Sequence, residues 1–222
     1  MKLSTILSTV CSATTALAAF DYNRAGAVLK APAGESFANV SGTFTVPALS
    51  GNSRLSIWVG IGDSIQQNYV LGGGIVFNKT LATWSAFYPD KATDLTAAVP
   101  VAASDSITVT VSIAGTSGSV TVENKTQNKK STQTVAAPAA ANPEALTALA
   151  ADWWVQGYQV VPGELITTPN YGSVAFTACS ATTESGVNVP LTGAGTFEIS
   201  GISGQQYSKT TVTGTGITVQ RV

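Results

Sequence analysis

From Asp105 to Gly115 the chain reads DSITVTVSIAG. Ile107, Val109, Val111 and Ile113 fall on one side of a period of two, and Thr108, Thr110 and Ser112 on the other. Successive side chains of a β-strand point to opposite faces, so this is a strand with one buried and one wet face. The alternation resumes in SGSVTVEN (117–124) after a Gly-bounded turn, which predicts a hairpin. SGTFTVPAL (41–49), SRLSIWVGIG (53–62), NYVLGGGIVF (68–77), TWSAFYPD (83–90), ADWWVQGYQV (151–160), GSVAFTACSA (172–181) and TGITVQRV (215–222) are further strand candidates, separated by turn residues. Many short strands at regular spacing predict an all-β sandwich or barrel. Only NPEALTALAAD (142–152) suggests a helix, with Asn142 as cap and Pro143 in the first position. VAAPAAANP (135–143) reads as a small-residue linker within one domain.

The 222 residues begin with Met1-Lys2, an apolar run from Leu3 to Leu17, and small residues at Ala16 and Ala18. That is the pattern of a secretory signal peptide over residues 1–18, with residues 19–222 as a single domain. The run is too short, and too rich in Ser and Thr, to span a membrane. Without Lys2 the chain carries ten basic and twelve acidic groups and no basic patch, which argues against nucleic acid as a partner. With 10% charged residues, repulsion stays weak at any pH, as suits a secreted protein in acid. The expected species is a secreted monomer with no membrane partner and no cofactor.

The sequence contains no histidine. This excludes His-based nucleophilic triads and most zinc sites, and no metal site is expected. Cys11 leaves with the signal, so Cys179 has no partner within the chain; in a strand it reads as a buried thiol. Asn39, Asn78 and Asn124 each open an Asn-X-Ser/Thr sequon and are candidate glycosylation sites, of which one or two are expected to be used.

The most information-dense stretch is ADWWVQGY (151–158). As a strand it puts Asp152, Trp154 and Gln156 on one face. Together with NRAGAVL (23–29), FANVSGTFTVP (37–47), SIWVGIG (56–62), WSAFYPD (84–90), DSITVTV (105–111), SVTVENKT (119–126) and GSVAFTACSA (172–181), this ordered set resembles the fungal glutamic peptidases, the eqolisins. The resemblance covers nearly the whole chain after the signal. It implies a concanavalin A-like or jelly-roll sandwich of two curved antiparallel sheets with at most one or two short helices. It also implies a glutamate base and a glutamine oxyanion donor on the concave sheet.

Laid against the family stretch AEFIIEDF, ADWWVQGY puts Gln156 at the glutamate position. Laid against WVGIDGDTCQTAILQTG, residues 58–74 put Gly72 at the glutamine position. Both catalytic positions thus depart from the pattern, and the resemblance implies no intact catalytic residue. Ala86 and Gly62 stand where the family has acids, and Arg24 where it has a tryptophan. Trp58, Trp84 and Tyr88 match aromatic positions of the family groove, and with Asp152 and Trp154 they are the expected substrate-binding residues. Gln66 lies about 20 Å along a strand from Gly72, Gln67 has the wrong parity, and Asp152 lies about 13 Å from Gln156. Asp63 sits in the preceding loop, from which it could reach inward.

Three functions follow: a non-catalytic relative that keeps an aromatic groove for a peptide or glycan, an acid endopeptidase with displaced groups (Gln156 as the amide, Asp63 or Asp152 as the acid), or a lectin-like module. The family carries a long propeptide. Here NRAGAVL follows closely on the signal, so none is expected.

Overall fold

The computed structural model describes residues 18–64, 67–115, 117–139, 141–142, 147–158 and 168–222. The expected signal peptide, apart from Ala18, lies outside them.

Among the described residues the chain forms fifteen strands: β1 Ala19–Asp21, β2 Arg24–Lys30, β3 Phe37–Thr45, β4 Leu55–Gly62, β5 Val70–Asn78, β6 Thr80–Tyr88, β7 Thr93–Asp94, β8 Ser106–Ala114, β9 Ser117–Asn124, β10 Lys129–Ala136, β11 Ala150–Gly157, β12 Ser173–Thr183, β13 Gly195–Ile199, β14 Ser208–Val212 and β15 Gly216–Arg221. They make an eight-stranded sheet in the order β1-β13-β2-β11-β4-β5-β6-β7 and a seven-stranded sheet in the order β10-β9-β8-β3-β12-β15-β14. The pairings are antiparallel except between β1 and β13. This is the expected all-β sandwich. The period of two does what it must: Ile107, Val109 and Val111 of β8 and Val120 and Val122 of β9 are fully buried. They meet Leu55, Ile57, Val59 and Ile61 of β4 and Leu71 and Ile75 of β5 in one core between the sheets.

Tryptophan 153 belongs to that inner layer. Its indole N–H donates to the carbonyl of Ser41 across the sandwich at 2.9 Å. Its neighbours Asp152, Trp154 and Gln156 therefore turn to the outer face of the eight-stranded sheet, as their parity requires.

The expected helix over 142–152 is corrected where it can be seen. Ala150, Ala151 and Asp152 are the start of β11, and before them Leu149 N–H donates to Gly62 while Ala148 accepts from Phe37 N–H. Such long-range backbone bonds leave no partners for an i→i−4 ladder. Residues 143–146 lie outside the described set. Among the described residues the helical content is one 3-10 turn, Leu191–Gly193.

Candidate functional site

The outer face of the eight-stranded sheet can be read as rows across its strands. One row runs Phe197, Gly26, Trp154, Trp58, Gly74, Trp84, Asp94. The row on one side runs Val28, Asp152, Gly60, Gly72, Ala86, and on the other Arg24, Gln156, Ser56, Val76, Ala82.

Rings and glycines complement one another in the first row. Trp154 packs against Phe197 at 5.2 Å and Trp58 at 6.4 Å, and Trp58 against Trp84 at 6.4 Å, all tilted or edge-to-face, the favoured geometries for aromatic quadrupoles. Gly26, at φ +154°, passes beneath Trp154; a β-carbon there would lie 2.0 Å from the carbonyl oxygen of Trp153. Gly72 faces Gly60 across the strand pair, and a β-carbon on it would stand 2.9 Å from the Val59 carbonyl and 3.5 Å from the Trp58 ring. The Trp58 indole thus overlies the glycine strip.

Above this floor is a groove of about 850 Å³. Trp58, Trp84, Gly72, Gln156 and Tyr88 line it. Around it stand Phe20, Tyr22, Tyr88 and Tyr158, which are the exposed aromatic side chains among the described residues. The structure thus brings the expected Trp58, Trp84 and Tyr88 together with Gly72 and Gln156. Asp152 and Trp154 lie under the floor, each 0% exposed, and offer no surface to a ligand.

Gln156 is half-buried. Its Oε1 accepts from the indole N–H of Trp58 at 2.9 Å. Beside it the Ser56 and Tyr158 hydroxyls are 2.8 Å apart, and the Arg54 guanidinium lies over the Tyr158 ring, 3.8 Å from its centroid.

Asp152 is the unusual group. Burial pushes its carboxyl up to about 8, against the opposing pull of the Arg24 guanidinium, the Gln67 amide and the Trp154 indole N–H; Asp63 adds a small push upward. Neither carboxyl oxygen closes a proper hydrogen bond, and the Gln67 Nε2 and Trp154 Nε1 nearby are likewise unpartnered. Arg24 seals the cluster. It lies 5.0 Å from the centroid of the Trp154 ring, forms a salt bridge with Asp21 at 3.0 Å and donates to Gln67 Oε1.

Gln67 corrects the parity argument. It sits in the loop before β5 at φ +57°, so strand alternation does not govern its direction, and its side chain is buried beside Asp152. Asp63 is buried too and accepts from Tyr69 N–H at 3.2 Å. Gln66 lies outside the described residues. The sequence marks Arg24 only as a departure from a family tryptophan and Tyr158 only as the end of ADWWVQGY, and it gives Arg54 no distinguishing context. Their convergence depends on β2, β4 and β11 being neighbours.

Residues 22–221 match the Peptidase A4 family. The chain belongs to the Peptidase A4 family. Aspergillopepsin-2 of Aspergillus niger is 29% identical over 231 residues, covering 91% of this chain and 78% of its own. Scytalidopepsin B of Scytalidium lignicola is 34% identical over 118 residues, covering 51% and 44%. Among solved structures, scytalido-glutamic peptidase with a peptide-based transition-state analogue superposes with a TM-score of 0.75 at 26% identity over 91% of this chain and 99% of that one. Aspergilloglutamic peptidase from Aspergillus niger gives 0.65 at 30% identity, over 76% and 99%. The eight- and seven-stranded sandwich is thus the Peptidase A4 fold, and the groove lies on its eight-stranded sheet.

The sequons of this Peptidase A4 chain differ. Asn39 and Asn78 are exposed. Asn124 is fully buried; its Nδ2 donates to the Pro100 carbonyl at 2.8 Å and to Asp105 Oδ2 at 2.7 Å. Cys179 is half-buried, and burial pushes its thiol up to about 12 against a backbone hydrogen bond from Ile217, so it is not a reactive thiolate.

Proposed function

We propose that this chain is a secreted Peptidase A4 protein that holds a peptide in its outer-face groove and does not hydrolyse it. The observation that carries this reading is the state of Gln156. Where the family resemblance puts the glutamate, there is an amide whose oxygen accepts from Trp58 Nε1. An amide has no site that titrates in water, so Gln156 cannot take a proton from an attacking water. A general base is worth about 10²–10⁴-fold in rate. Gly72, at the glutamine position, offers no donor to an oxyanion, and one such donor is worth about 10²–10³-fold.

Displaced catalysis is the rival. Its acid would be Asp152 or Asp63, but Asp152 has no accessible surface and neither lines the groove. Three aromatic floor and rim residues expected from the sequence do line it. The solved relatives include complexes with a peptide-based transition-state analogue and with the tripeptide Ala-Ile-His, which favours a peptide over a glycan as the occupant.

The deciding experiment is hydrolysis of an acid-denatured protein by folded, purified protein between about pH 2 and 6. No cleavage above a mock preparation is expected. Pepstatin-resistant cleavage would overturn the reading. A glycan array run alongside should stay blank; a specific glycan hit would replace the peptide.

A further inference from the structure

The Trp58–Gln156 hydrogen bond decides more than the loss of a base. An indole N–H donates and cannot accept. With Trp58 donating at 2.9 Å, the end of the Gln156 amide that faces Trp58 must be the oxygen. The Nε2 end is thereby turned the other way. Gln156 lines the groove and is half-buried, and its Nε2 has no partner among the described residues. The site where the resemblance puts an acceptor therefore presents a fixed donor.

A second donor stands beside it. Ser56 is directly opposite Gln156, and Arg54, two residues before Ser56 and just ahead of β4, lines the same groove. Directly opposite residues lie about 5 Å apart and diagonal ones about 7–8 Å, within reach of an arginine side chain. The Arg54 guanidinium carbon lies over the Tyr158 ring, 3.8 Å from its centroid, and the group forms no ion pair among the described residues. Tyr158 is itself tied to Ser56 at 2.8 Å, so the platform carrying the cation is anchored to the groove floor.

The acids of the groove are placed elsewhere. Asp21 is neutralised by Arg24. Asp94 lies on β7, four strand spacings from β11, roughly 19 Å away. Asp90 lies beyond the end of β6, ahead of β7. The groove is thus bipolar, with donors at the β11–β4 side and carboxylates at the β6–β7 side.

We propose that the groove recognises the C-terminal carboxylate of a peptide, held between Gln156 Nε2 and the Arg54 guanidinium, with the chain running across the sheet toward Asp90 and Asp94. Roughly 19 Å accommodates five or six extended residues at about 3.3 Å each. The proposal rests on the peptide-binding reading above and names which part of the peptide is read. Carboxylates accept charge-assisted hydrogen bonds from a guanidinium and an amide together, whereas an internal peptide carbonyl offers no charge to Arg54.

The test uses two libraries of N-terminally labelled six-residue peptides without Asp or Glu, one ending in a free acid and one amidated, with binding read by fluorescence anisotropy. The free-acid library should bind at least tenfold tighter. Arg54→Ala should weaken free-acid binding about tenfold and leave the amidated peptides where they were. Gln156→Glu, which turns the donor into an acceptor of like charge, should do the same. Each variant is checked for an unchanged unfolding midpoint. Equal binding of acid and amide by the wild-type protein overturns the carboxylate assignment while keeping the peptide groove. Binding of neither library overturns the peptide reading itself, and the assignment with it. A third library, amidated but carrying one internal Glu, decides the source: binding as tight as that of the free acid would overturn the C-terminal assignment.

Discussion

Asp152 shows how far one residue can set the conditions under which a fold is stable. Its carboxyl titrates near 8 in the folded chain because burial penalises the charge. In the unfolded chain it titrates near 3.9. Between those values the folded state keeps a proton that the unfolded state has released. Stability therefore falls as pH rises through this window, by up to about 1.4 kcal/mol per pH unit from this group alone. Asp152→Asn removes the titrating group and keeps the shape. Urea unfolding between pH 4 and 8 should show a midpoint that declines in the wild-type protein and a flatter one in the variant, with the variant the more stable at pH 7. Parallel curves would mean that Asp152 is solvated in the folded state. Gly26→Ala would put a methyl 2.0 Å from a backbone oxygen beneath Trp154. It should cost about 3 kcal/mol or more, seen as a lowered unfolding midpoint.

At the scale of elements, the strands show what a sequence does and does not disclose. β8, β9 and β4 announce themselves by alternation or by continuous apolar runs, because burial of one or both faces is what their composition answers to. β10, Lys129–Ala136, does not: its side chains are exposed or half-buried, so no apolar stripe marks it at the sheet edge. The start of β11 reads as helix in the sequence because Ala and Leu suit helices, whereas the strand's backbone partners, Gly62 and Lys30, are distant in sequence. For the same reason the site was half legible. Trp58, Trp84 and Gln156 could be placed from local motifs, but Gln67, Arg24 and Arg54 reach the groove only through loops and cross-strand neighbours.

Loops and strand ends also separate the sequons. Asn78 ends β5 at the exposed turn around Lys79. Asn124 ends β9 with its amide spent on Pro100 and Asp105. Expression through a eukaryotic secretory host should load Asn78 and leave Asn124 bare, as read by site-resolved mass spectrometry. The Asn124 amide has another duty. Burial alone would raise the Asp105 carboxyl, but donors from Asn124, Ala102 N–H and Gln127 outweigh it and hold it below the usual carboxylate range. Its contribution is present above that range and fades as pH falls through the lowered value. Asn124→Ala should therefore cost about 1–3 kcal/mol at neutral pH and less in strong acid, by the same urea titration.

Over the whole molecule, packing and site are divided between the two faces of one sheet. The inner face of the eight-stranded sheet, with Trp153, Ile57 and Leu71, holds the sandwich together. The outer face, with Trp58, Trp84 and Gln156, carries the groove. This division lets the chemistry at the groove change without disturbing the core. Gln156→Glu alters only an outer-face side chain, so the unfolding midpoint should move little. It supplies a base but no oxyanion donor, so by itself it should leave hydrolysis short by about 10²–10³-fold. Adding Gly72→Gln is a different matter. The new side chain starts 2.9 Å from the Val59 carbonyl and under the Trp58 ring, so β4 and β5 must shift to admit it. The double variant should unfold earlier than Gln156→Glu, and its hydrolysis between pH 2 and 6 should rise only if that shift leaves the amide facing the groove. Unfolding midpoints and acid hydrolysis, measured on the same two variants, separate the outcomes. If the double variant is as stable as the single one, the glycine strip is not the steric barrier that the close approach of Trp58 and Val59 indicates.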